Sequence, residues 1–152
     1  MTDCREVGYR LSLIEGAEEV EDIWRRLDSC FNPPISVLVE DLSAYGKKLA
    51  DCATTVACYV EGRLAGAVSF YANDAESGLA YVAEIATVSC FRGMHVGSAL
   101  LEAAFRASRD AGMREMRLEV FKQNASALAF YERKGFRAIE DRGEGILMAR
   151  AL

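Results

Sequence analysis

The sequence predicts an α/β (α+β) domain, a mixed central sheet of about seven strands with helices on both faces. Three observations carry this. Short runs rich in β-branched and aromatic residues alternate with segments of helical period. Three of the strand-like runs follow one another through turns, as in an antiparallel meander. A long helical segment then separates two strands, which makes them parallel neighbours across a right-handed crossover.

In chain order, Tyr9 to Ile14 alternates weakly and reads as a short strand. Glu18 to Cys30 sets Val20, Ile23, Trp24 and Leu27 on one helical face. Asn32-Pro33-Pro34 stops that helix, because proline has no amide hydrogen and restricts the residue before it. A second helix is expected over Val39 to Ala50, with Leu42, Tyr45 and Leu49 inward. Thr54 to Val60 and Leu64 to Ala72 form a hairpin around Glu61-Gly62-Arg63. Asn73 to Gly78 is a polar loop, and Leu79 to Val88 is the third strand.

Val96 to Asp110 carries Val96, Ala99, Leu100, Ala103 and Ala107 at helical spacing, with Gly112 as its terminator. Met116 to Phe121 is a strand, and Asn124 opens a helix that ends at Gly135. Phe136 to Glu140 and Gly145 to Ala151 close the chain as strands. The order is β-α-α-β-β-β-α-β-α-β-β. No repeat or linker interrupts it, so residues 1–152 read as a single domain.

Composition narrows the function. Eighteen basic and 23 acidic residues give a net charge of −5. That speaks against a nucleic-acid partner, which asks for a clustered basic face, and weakly favours amines. Cys4, Cys30, Cys52, Cys58 and Cys90 are odd in number and contain no C-x-x-C pair, so no disulfide framework is expected. With one histidine in the chain, no metal site is expected either. Met1 to Val7 is polar and lacks the apolar stretch of a signal peptide, and no run suits a membrane span. These readings lead us to expect a reduced, cytoplasmic domain without membrane attachment.

Arg92-Gly93-Met94-His95-Val96-Gly97-Ser98 lies between a strand and a helix. A helix start offers unpaired amides and the positive end of the macrodipole, which suit an anion. Glycines let main chain approach a pyrophosphate, and Arg92 adds a cation. A turn of this kind alone is weak and is commonly structural.

The wider context is specific. Ile85-Ala86-Thr87, four residues, then Arg92 to Gly97 resembles motif A of the Gcn5-related N-acetyltransferase (GNAT) superfamily, Arg/Gln-x-x-Gly-x-Gly/Ala after a β-bulged strand. Leu118-Glu119-Val120, then Asn124, then Phe130-Tyr131-Glu132-Arg133-Lys134-Gly135-Phe136 is similar to motif B. The spacing looks most like the ribosomal-protein alanine acetyltransferase branch. The resemblance is strong over residues 54 to 141. One position departs: His95 stands where the family carries its middle glycine, which puts coenzyme A affinity in question.

The resemblance implies an N-acetyltransferase that uses acetyl-CoA as co-substrate and needs no metal. It would transfer acetyl directly to a primary amine of a small molecule or peptide N-terminus. The cofactor would be held by Ile85, Ala86, Thr87, Arg92, Gly93, Met94, His95, Val96, Gly97, Ser98 and Asn124. The backbone of Ile85 to Thr87 would pair with the pantetheine arm in a splay at Thr87 and Glu119, and one of its amides would face the thioester oxygen. Tyr131 matches the general acid. Glu84 and Glu119 are equal candidates for the base, since alternation alone does not say which faces the cleft. Cys90 has no histidine ready to activate it and reads as packing; Tyr45, Phe70 and Tyr71 are candidates for the acceptor pocket. A homodimer is raised by analogy. The rival reading, prompted by His95, is a catalytically weak acyl-CoA-binding or sensing module.

Overall fold

The computed structural model describes residues 8–31 and 33–152, so Met1 to Val7 with Cys4, and the expected helix stop at Asn32, lie outside it. Seven strands form one sheet: β1 Tyr9–Ile14, β2 Thr54–Val60, β3 Arg63–Tyr71, β4 Leu79–Thr87, β5 Glu115–Phe121, β6 Arg137–Arg142 and β7 Gly145–Ala151. Their spatial order is β1-β2-β3-β4-β5-β7-β6, and β4 with β5 is the parallel pair. The helices are α1 Ala17–Arg26, α2 Ile35–Leu38, α3 Leu42–Cys52, α4 Val96–Asp110 and α5 Ala125–Arg133. None of them, among the described residues, is long and apolar enough to cross a membrane.

Helices cover both faces, as the periodicities predict. On one face Leu100, Leu101, Ala104 and Phe105 of α4 pack with Val68, Phe70, Met116 and Met148 of the sheet. On the other, Val20, Ile23 and Trp24 of α1 and Leu49 of α3 pack with Ala57, Ala67 and Ala86. Trp24 satisfies its indole N–H on Ser69 Oγ at 2.9 Å, so this large side chain buries fully without an orphaned donor.

Side-chain caps correct several expected boundaries. The first helix stops four residues short of Cys30, because both Asp28 carboxylate oxygens are bound by Ser36, through its amide at 2.9 Å and its hydroxyl at 2.6 Å. That bond organises α2, an extra turn of helix which the sequence reading lacked. The next helix begins at Leu42 rather than Val39, since Asp41 caps it by accepting from Ser43 and Ala44 amides at 2.9 and 3.2 Å. Arg63 belongs to β3, opposite Val60, which leaves a two-residue turn of Glu61 and Gly62 with φ of 50° and 78°. Two positive φ values are the signature of a type I′ hairpin. Gly112 and Gly135, at φ of 88° and 90°, end α4 and α5. Met113 and Gly112 amides donate to Ser108 and Arg109 carbonyls, while Phe136 and Gly135 amides donate to Tyr131 and Glu132.

Two irregularities in β4 shape the site. Its pairing with β5 covers only Leu79↔Glu115, Ala80↔Met116 and Tyr81↔Arg117. The strands therefore part from Val82 and Leu118 onward, earlier than the expected splay at Thr87 and Glu119. The second is a bulge against β3: Ser69 lies opposite Glu84 and Phe70 opposite Val82, which leaves Ala83 unpaired. Ala80, Val82 and Ile85 pack on the α4 side, whereas Ala83 and Ala86 pack on the α1/α3 side. Alternation is thus reset between Ala83 and Glu84, as a bulge does when it re-aims a side chain.

Candidate active site

The parted strands open into a cleft of about 800 Å³. Its floor is β4 from Val82 to Thr87 and β5 from Leu118 to Phe121. One end is the start of α4 with Arg92 and Gly93, and α5 contributes Ala127, Phe130 and Tyr131. Across from these stand Cys30, Phe31, Pro33, Ile35 and Leu38 of the α1–α2 segment.

The α4 end is built for an anion. The first helical bond runs from the Ala99 amide to the His95 carbonyl at 3.0 Å. The amides of Val96, Gly97 and Ser98 thus have no carbonyl a turn before them in the helix. His95 takes the left-handed conformation, φ 62° and ψ 22°, and its exposed side chain makes no capping bond. Gly97 keeps the wall thin: a Cβ there would lie 3.3 Å from Phe130 Cζ and 3.5 Å from Thr87 Oγ1. Gly66 lets β3 sit close behind the floor, since a Cβ would come within 2.5 Å of the Ala86 carbonyl oxygen.

Glu84 sits on the α1/α3 side of β4, half-buried, and accepts a hydrogen bond from the Tyr45 hydroxyl of α3 at 2.8 Å. Burial pushes its carboxyl up to about 7, against the pull of the Tyr45 donor. Burial also raises the Tyr131 hydroxyl well above the usual tyrosine range, and the Glu84 charge adds to the rise. Tyr131 packs edge-on against Phe130 and Phe136, with ring centroids 5.4 and 5.8 Å away. Glu119 differs: its exposed carboxylate pairs with Arg142 at 3.3 Å, and Arg142 also bonds Glu140.

The cleft gathers the sequence-derived candidates Glu84, Ile85, Ala86, Thr87, Arg92, Gly93, His95, Val96, Gly97, Ser98, Glu119, Asn124 and Tyr131. Met94 does not line it, because its side chain packs on the α4 core. Asn124 Oδ1 caps α5 by accepting from the Ala127 amide at 3.2 Å. Three other expectations are corrected. Phe70 is fully buried in the α4 core and lines no acceptor pocket. Tyr45 and Tyr71 are not cleft walls, and Tyr45 stands behind Glu84 as its donor. Cys90 is exposed rather than packed, because the turn Ser89–Phe91 buries Phe91 instead. The first two helices and the loop around Asn73 to Gly78 were expected to set acceptor specificity, but no residue of the α1–α2 wall was named, nor was Phe130. The Asn32-Pro33-Pro34 break was the available signal for that wall, since a chain that stops being helical there must turn across something.

Similar structures carry this fold. Nourseothricin acetyltransferase is 26% identical over 65% of this chain with a TM-score of 0.60, and the chain spans only 65% of that protein. Ribosomal-protein-S18-alanine N-acetyltransferase from Escherichia coli is 18% identical and covers 95% of this chain and 94% of its own, with a TM-score of 0.76. PaiA N-acetyltransferase from Thermoplasma acidophilum, solved with coenzyme A, is 16% identical and covers 94% and 99%, with a TM-score of 0.73. Identities of 18% and 16% carry the fold and not the acceptor. No protein of curated function matches the sequence. Residues 19–136 match the acetyltransferase (GNAT) family, and with most of its length inside that match the chain belongs to this family, whose members carry an acetyl group from acetyl-CoA to an amine.

Proposed function

We propose that the protein transfers acetyl from acetyl-CoA directly to a primary amine, of a small molecule or a peptide N-terminus, in the cytoplasm. The observation that carries this reading is that Glu84 and Tyr131, both half-buried, line one gap between β4 and β5 that ends at the free amides of α4. Val96, Gly97 and Ser98 amides with Arg92 hold the pyrophosphate, and the exposed edge of β4 at Ile85 to Thr87 receives the pantetheine amides. Free thiols at Cys30, Cys52, Cys58 and Cys90 are consistent with a reducing compartment.

Glu84 is the base in this reading. An alkylammonium with a pKa near ~10 must shed a proton before it attacks, and a carboxyl poised near 7 accepts one at neutral pH, directly or through water. Glu119 is the weaker candidate, because its carboxylate is solvated and engaged by Arg142. Tyr131 stays protonated and donates to the departing sulfur. Desolvation that raises its hydroxyl also raises a thiol formed beside it, so the transfer does not face the whole difference between their solution pKa values.

Coenzyme A release measured over a panel of primary amines tests the activity. Tyr131→Phe should lower kcat more than tenfold while acetyl-CoA binding by calorimetry stays within about twofold. An unchanged kcat removes the acid role. Binding of acetyl-CoA without turnover of any amine would favour the sensing-module reading that His95 prompts.

A further inference from the structure

We propose that Tyr45 of α3 is a positioning residue for the base: its hydroxyl fixes the Glu84 carboxylate on the α1/α3 side of β4 and sets its proton affinity. The inference rests on Glu84 being the base. Its geometry stands apart from that role. Tyr45 Oη lies 2.8 Å from Glu84 Oε1, and this is the side-chain hydrogen bond that Glu84 makes among the described residues. The donor is carried on a rigid element rather than a loop. Gly46, the next residue, sits so close to α1 that a Cβ would lie 2.9 Å from Glu21 Cα, which fixes how far α3 stands from its neighbour.

The surroundings make one hydroxyl decisive. Tyr71 of β3, Tyr81 of β4 and Tyr131 of α5 all feel the Glu84 charge, and each is raised chiefly by its own burial. Beyond Tyr81, Glu119 of β5 is held in its pair with Arg142 of β6. Among the described residues, burial raises Glu84 and the Tyr45 bond opposes that rise, with no cation contributing. A hydrogen bond to the ionised form favours ionisation, so its removal leaves desolvation unopposed and the carboxyl holds its proton to higher pH. The bulge at Ala83 is what turns Glu84 toward this partner, so α3 and β4 meet at the reacting group through a single bond.

Tyr45→Phe keeps the ring and deletes the donor. The acidic limb of its kcat profile should move up by about one pH unit, so that the rate at pH 6 falls about tenfold further relative to pH 9 than in the wild type. The amine's own ionisation is common to both proteins and cancels from the comparison. If Tyr45 only packed, the rate would drop by one factor at every pH with the limb unmoved, and that result overturns the proposal. Infrared titration of the carboxyl band, assigned by its loss in Glu84→Gln, needs no acceptor. A band that persists about one pH unit higher in Tyr45→Phe supports the proposal, and an identical titration overturns it. A shifted band in a protein that acetylates no amine would refute the enzyme reading while leaving the Tyr45–Glu84 link intact.

Discussion

An ordinary glutamate titrates near 4.5, whereas Glu84 is pushed up to about 7 by burial. The folded state therefore binds this proton more tightly than the unfolded chain does. The resulting stability is fully present below pH 4.5 and is lost as pH rises through 7. At about 1.4 kcal/mol per pH unit, the ionised carboxylate costs up to about 3 kcal/mol above neutrality. Glu84→Gln keeps an acceptor for Tyr45 and removes the charge. In urea titrations it should gain on the wild type from pH 5 to pH 7.5, hold that margin at higher pH, and lose turnover. A margin that does not vary with pH would show that the carboxylate is well solvated. Greater stability with less activity is the expected signature of a functional group kept against its environment's preference.

The first turn of α4 raises the same tension in backbone form. His95 occupies φ 62°, where an L-residue with a Cβ is disfavoured by about 1–2 kcal/mol and glycine is not. The turn keeps its shape because Gly93 supplies a second positive φ and Phe91 anchors the preceding turn in the core. His95→Gly should raise stability by up to about 1 kcal/mol, partly offset by the freedom glycine gains when unfolded. Coenzyme A affinity by calorimetry should be equal or tighter. Weaker binding would instead make the imidazole a phosphate ligand. Elements of this kind were readable from sequence wherever local chemistry fixes them: α4 begins at Val96 and ends at Asp110 as its periodicity and Gly112 indicate. The α2 turn was not readable, because it depends on Asp28 reaching Ser36 across two prolines.

At the scale of the whole molecule, three residue pairs join β4 to β5, and the sheet is otherwise open through its middle. A ligand that bridges the gap should add cohesion between the halves. Acetyl-CoA at a hundred times its Kd should stabilise the fold by about 2.7 kcal/mol, read as a concentration-dependent rise in Tm. A Tm indifferent to acetyl-CoA at millimolar levels would remove the cleft as its binding site. The motif residues of this cleft were legible because motif spacing is local along the chain. How each carboxylate is engaged was not, because it turns on long-range pairings: Arg142 reaches Glu119 only through the β5-β7-β6 order, and Tyr45 meets Glu84 only once α3 is docked. The deciding feature is Ala83, a residue with no chemistry of its own. A strand assigns its side chains to two sides by parity, odd or even, and the extra residue flips that parity for everything after it. The side that the carboxylate faces is therefore written in a count of residues: pairing Ala83 into a regular strand would turn Glu84 toward the α4 half of the molecule, whereas losing the codon for Ala83 would leave it where it stands.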